Sequence, residues 1–142
     1  MSGPPVIIDT NIVVVGLLIA RDDSPVARIL NGMLAAAFPF VMSEDLLAEY
    51  RTVLVRPNLR KLHGLTVAEV EAILTDLAHH AIVRTPVAGP PAPDRGDQLL
   101  WNLLAAKPDL LLVTGDKLLL SDTGMRGRVI SARAFVSDDR RP

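Results

Sequence analysis

Val6-Ile7-Ile8-Asp9-Thr10-Asn11 is the stretch on which the fold turns. Three β-branched residues running into a carboxylate read as a short strand buried on both faces. Such strands belong to parallel sheets covered by helices. A second continuous apolar run, Leu110 to Thr114, leads into Gly115-Asp116 and reads as a central parallel strand. If the two strands run parallel, Asp9 and Asp116 share one edge of the sheet. Open α/β sheets bind their ligands just beyond that edge.

Working outward, helix and strand signals alternate. Thr10 or Asn11 can cap a helix from Ile12 to Ile19, and Arg21-Asp22-Asp23-Ser24 breaks it. Pro25 suits the first turn of a helix reaching Ala36. Pro39 to Met42 reads as a strand, and Ser43 caps a helix from Glu44 to Val55 that Pro57 breaks. Thr66-Val67-Ala68-Glu69 is a capping box opening a helix to His79. Ile82 to Arg84 is a third strand candidate. Thr85 to Gly96 holds Pro86, Pro90, Pro91 and Pro93 and reads as a long loop. Asp97 starts a helix to Ala106. Val129-Ile130 is a last strand, and Ser131 caps a helix to Val136. The alternation predicts a three-layer α/β/α fold around a mostly parallel sheet.

The chain has 142 residues, which suits a single domain over 1–142. Hydrophobic residues make up 49% and mean hydropathy is +0.32, which argues against disorder. The same surplus leaves apolar surface for a second subunit, and the helix from Ile12, apolar almost all round, is a candidate contact. There is no cysteine, which excludes disulfides, Cys–zinc sites and thiol chemistry. No basic n-region opens the chain, and the apolar run Ile12 to Ala20 falls short of the ~20 residues that span a bilayer. A cytoplasmic protein is expected. Fifteen basic against sixteen acidic residues give net charge −1, so a polyanion would need a local basic patch.

Each acid has an ordinary alternative. Asp9 or Asp116 can simply cap the next helix. Asp97 heads a helix with an apolar stripe of Leu100, Leu103 and Leu104, where it can serve the helix dipole. Glu49 sits on an amphipathic helix, and its residue type alone does not separate it from Glu44 or Asp45.

The order Ile8-Asp9-Thr10-Asn11-Ile12, then Ser43-Glu44-Asp45-Leu46-Leu47-Ala48-Glu49-Tyr50, then Asp97 heading a helix, then Val113-Thr114-Gly115-Asp116-Lys117 resembles the PIN-domain family. It is most similar to the branch of toxins from bacterial toxin–antitoxin pairs, from about Val6 to Val136. Arg56-Pro57-Asn58-Leu59-Arg60 ahead of a Leu-Thr-x-x-Glu helix is similar to the same branch. The resemblance implies an endoribonuclease with Asp9, Glu49, Asp97 and Asp116 as acidic quartet, Asn11 and Thr114 as polar supports, and an antitoxin partner. The chain departs from that pattern at Asp94-Arg95-Gly96-Asp97, where Asp94 rivals Asp97, and at Leu118, where relatives carry an acid. Asp122 lies too far along to replace it.

Four carboxylates cannot all stay ionised close together without compensation. A divalent cation supplies it, and all-oxygen ligation suits Mg²⁺ or Mn²⁺, with metal-activated water as attacker. His63, His79 and His80 read as structural or surface residues. Arg51, Arg56, Arg60 and Lys61 follow Glu49, and Lys117, Arg126 and Arg128 follow Asp116; these could grip RNA phosphates. Tyr50 and Trp101 are the candidate stacking platforms, with Trp101 better suited to the core. A haloacid-dehalogenase-like phosphatase is the rival enzyme, but it wants a second acid where Asn11 stands. A catalytically silent PIN-fold interaction module is the rival of another class. A homodimer is expected, and no membrane.

Overall fold

The computed structural model describes residues 3–19, 23–122, 125 and 127–137. Arg21 and Asp22 of the expected polar break, and Arg126 of the expected basic set, lie outside them. The apolar runs form five strands: β1 (Val6–Ile8), β2 (Phe40–Met42), β3 (Ile82–Val83), β4 (Leu111–Val113) and β5 (Val129–Ile130). They make one sheet in the order β3-β2-β1-β4-β5. Every pairing is parallel, with Ile7 opposite Val41 and Ile8 opposite Val113. The sheet is thus wholly rather than mostly parallel. β1 and β2 are buried throughout, as expected for inner strands.

Between strands run α1 (Thr10–Leu18), α2 (Pro25–Leu34), α3 (Glu44–Leu54), α4 (Pro57–His63), α5 (Val67–His80), α6 (Gln98–Leu104) and α7 (Lys117–Leu120), with α8 (Ala132–Ser137) last. Right-handed crossovers put α1 to α5 on one face of the sheet and α6 and α7 on the other. The contacts agree. α1, α2, α3 and α5 pack on one another, whereas α6 lies on β4 and α7 beside β5. The α/β architecture read from the sequence, with helices on both faces of a parallel sheet, is therefore what the chain adopts.

Local chemistry explains most boundaries. Ser24, Ser43 and Ser131 accept backbone N–H groups of Ala27, Leu46 and Ala134, and Thr66 with Glu69 completes the capping box. Two expectations need correction. Pro57 ends α3 but also starts α4, because proline at the first helical position gives up only an N–H with no intrahelical partner. Neither Thr10 nor Asn11 caps α1. The helix begins at Thr10, and Asp9 stands at its N-cap position without a capping bond from its side chain. The cap reading failed because these side chains have other partners.

Among the described residues no helix is long and apolar enough to cross a membrane. α1 packs against α2 and α3 with Ile12 and Val13 buried, while Val14, Val15 and Leu17 are half-buried and Leu18 is exposed.

Candidate active site

Chain connections run from β1 toward β2 in one direction and from β4 toward β5 in the other, so the strand order reverses between β1 and β4. A crevice opens at the carboxyl ends of two such strands. Asp9 follows β1 and Asp116 lies three residues past β4, so both flank it.

Thr114 connects them. Its hydroxyl donates to Asp9 Oδ2 at 2.7 Å and accepts the Asp116 N–H at 3.0 Å. The Asp9 N–H also bonds the Val113 carbonyl, at 3.0 Å. Asp9 is 6% exposed, and burial pushes its carboxyl above the ordinary range. The Thr114 bond opposes that rise, while the charges of Glu49 and Asp116 add to it. Asp116 has a second task as the cap of α7, its Oδ1 accepting the Leu118 N–H at 2.9 Å. Asn11 reaches across the crevice, its Oδ1 accepting the Gly115 N–H at 3.3 Å.

Glu49 enters from α3, half-buried, and accepts a hydrogen bond from the Thr10 hydroxyl. Thr10 is a site residue that sequence reasoning missed, because it passed for a helix cap. The next residue, Tyr50, is fully buried and donates its hydroxyl to the Ile8 carbonyl, just ahead of Asp9. Burial, with the charges of Asp9 and Glu49, holds its phenol well above the ordinary range, so it remains a donor. Tyr50 is therefore a brace beneath the site and not a stacking platform. Trp101 lies in the core.

Asp97 closes a 3-10 turn (Arg95–Asp97) and occupies the N-cap position of α6 without a capping bond from its side chain. The cap explanation does not account for it. Its carboxyl is raised to about 6, first by burial and then by the charges of Asp9, Asp116, Asp94 and Glu49. Asp97 thus feels every other member of the expected quartet.

These residues line one cleft of about 350 Å³: the four acids, Thr10 and Asn11, with Val14, Val15 and Val53 as an apolar wall. The rivals lie elsewhere. Asp94 is exposed and holds the 3-10 turn, its Oδ1 accepting the Gly96 N–H at 3.1 Å. Glu44 and Asp45 line a separate hollow of about 140 Å³ with Arg84. Asp122 accepts the Met125 N–H at 2.9 Å.

The basic residues divide. Arg51 pairs with Glu71 of α5 at 2.8 Å on the surface. Arg128 is structural, its guanidinium donating to the carbonyls of Leu104, Lys107 and Leu110. Arg128 is thus committed to the fold, whereas Arg51 stays exposed within its ion pair. Arg56, Arg60, Lys61 and Lys117 are exposed. Arg60 and Lys61 line a hollow of about 420 Å³ beside α4, which packs on α1 and α3. His63 is structural. Its Nδ1 accepts the Leu65 N–H, so Nε2–H donates to the Leu54 carbonyl. His79 and His80 pack edge to face on the surface.

No three Asp, Glu or His side chains among the described residues converge into a ready-made metal cage. The donor chemistry nonetheless fits a hydrated divalent ion. Mg²⁺ keeps several of its own waters and takes only one or two protein carboxylates, so an open cleft suits it better than a closed cage. Burial raises Asp97 first, and the charge crowding that adds to the rise is what a cation would relieve.

An open parallel sheet with a carboxylate cleft at its switch point defines an α/β protein with its ligand site at the β1/β4 crevice. A PIN-domain profile matches residues 5–118, and the chain belongs to the PIN-domain family, a superfamily of nucleases. Comparison with curated proteins returns no significant match.

Proposed function

We propose that this chain is an endoribonuclease that hydrolyses RNA phosphodiester bonds with Mg²⁺ or Mn²⁺ in the cleft, and that it is the toxin of a toxin–antitoxin pair. The observation that carries the reading is the gathering of Asp9, Glu49, Asp97 and Asp116 on one cleft at the β1/β4 switch point. Asp9, Asp97 and Asp116, with Glu49, would hold the ion, one or two directly and the others through its retained waters. When bound, it would offset their repulsion, lower the pKa of a water and neutralise charge building on the scissile phosphate.

The chain's own residues prepare that site. Thr114 fixes the Asp9 carboxylate and the Asp116 backbone through one hydroxyl. Asn11 holds the Gly115 turn, and Thr10 orients Glu49. Val14, Val15 and Val53 restrict water on one side of the cleft. Arg51, Arg56, Arg60, Lys61 and Lys117 would take the RNA backbone, making binding salt-sensitive. The phosphatase alternative needs an acid at position 11, where Asn11 is occupied with the Gly115 amide. An antitoxin partner, a homodimer, a single domain over 1–142 and a cytoplasmic location complete the proposal.

The test is cleavage of RNA by the purified protein with and without Mn²⁺. Asp9→Asn and Asp116→Asn should each lose cleavage by at least about a hundredfold while keeping the fold, as loss of a charge-stabilising group does. Wild-type cleavage by either variant sinks the reading.

A further inference from the structure

The proline-rich segment ahead of Asp97 is not a loose loop. Gln98, directly after Asp97, accepts the Ala92 N–H on Oε1 at 2.8 Å and donates from Nε2 to the Pro90 carbonyl at 2.9 Å. Its Nε2 also donates to Asn102 Oδ1, one helical turn on, at 3.0 Å. That same Oδ1 accepts the Gly89 N–H at 2.9 Å, and the Asn102 backbone carbonyl accepts the Val87 N–H at 3.1 Å. Two side-chain amides thus satisfy three backbone groups of a segment whose prolines already restrict it. Both amides are half-buried. The segment lies so close to α6 that a Cβ on Gly89 would stand 2.8 Å from the Trp101 carbonyl oxygen.

This arrangement solves a mechanical problem. Asp97 makes no capping bond that would fix its side chain, and it faces repulsion from the other acids. Asp94 closes the 3-10 turn itself, and the segment leading into that turn still has to be held against α6. We propose that Gln98 and Asn102 form a bracket that locks the strap 86–94 onto α6 and so keeps the Asp97 carboxylate at the cleft, making both amides positioning residues for the divalent ion. The inference rests on the nuclease reading above, because it takes Asp97 to be a ligand.

The chemistry gives the bracket a signature. Asn102 acts through an acceptor oxygen, which Asn102→Asp retains. Gln98 acts through a donor to two oxygens and an acceptor for the Ala92 N–H; Gln98→Met removes both, whereas Gln98→Glu removes the donor and keeps the acceptor. The probe is Mn²⁺ alone, titrated into the full chain, beside hydrogen exchange at the Gly89 and Ala92 amides. Gln98→Met should lose protection at both amides and Gln98→Glu at Gly89, and both should bind Mn²⁺ about tenfold or more weakly, as loss of an outer support does. Asn102→Asp should keep both. Should Gln98→Met fail to fold, Gln98→Glu decides by Gly89 exchange and Mn²⁺ affinity. Folded Gln98 variants with wild-type Mn²⁺ affinity overturn the inference, as does an Asn102→Asp that weakens binding as much as they do. If wild type cleaves RNA with Mn²⁺ while the variants keep its affinity, only the bracket fails. If wild type binds no Mn²⁺, the nuclease reading fails and the bracket with it.

Discussion

At the scale of single residues, the site depends on what each oxygen is already bonded to. Asp9 is fixed by Thr114 and Asp116 by its capping bond, whereas Asp97 has its carboxylate uncommitted. Asp97 titrates at about 6 in the fold, against 3.8 for an unperturbed group. Across that interval the folded chain holds a proton that the unfolded chain has released. The contribution of Asp97 to metal-free stability is therefore fully present below the lower value and is lost as pH rises through the upper one. Asp97→Asn should melt at or above wild type near pH 7 without metal, and that advantage should vanish toward pH 4. The gain is at most a few degrees, since the group is only half-buried and solvent screens its repulsion. Melting curves at the two pH values check this, and a variant that melts lower at neutral pH contradicts it. Asp9 and Asp116 were legible because apolar strands run into them. Glu49 was not, since periodicity on α3 leaves Glu44, Asp45 and Glu49 alike until the fold turns the first two toward another hollow. Thr10 was hidden because hydroxyl residues beside a helix start pass for caps.

At the scale of elements, most of the architecture could be read from caps and apolar runs. What escaped was local. α4 was missed because a proline ends one helix and starts another by the same chemistry. α7 is a single turn, too short for any periodicity to register. The proline-rich strap was legible as irregular structure but not as pinned structure, because side-chain amides leave no periodic signal. Its close approach to α6 can be tested by substitution. Gly89→Ala places a methyl 2.8 Å from a backbone oxygen that cannot swing away. The strap must shift, at a cost of about 1–3 kcal/mol, read as a lowered melting temperature. Gly96→Ala serves as the control, since its new methyl would meet only the Asp94 carboxylate at 3.8 Å. Equal melting of the two variants would mean that the strap does not lie tightly on α6.

At the scale of the whole molecule, the topology brings the chemistry together. Parallel pairing of β1 with β4 sets Asp9 and Asp116 on one edge, although more than a hundred residues separate them in sequence. α3 and the turn ahead of α6 then bring Glu49 and Asp97 to the same opening. The strand-end pair could be foreseen from two apolar runs; the other two acids required the helices to be packed. Net charge was no guide, because a balance of −1 conceals an acidic cleft beside a basic α4. A crystal of the full chain soaked in Mn²⁺ tests the central claim most directly, through the anomalous signal of the metal. One manganese position or a close pair is expected in the β1/β4 crevice, held by Asp9, Asp97 and Asp116 directly or through water, with Glu49 beside them. Manganese bound elsewhere, or a cleft without metal at saturating concentration, would contradict it.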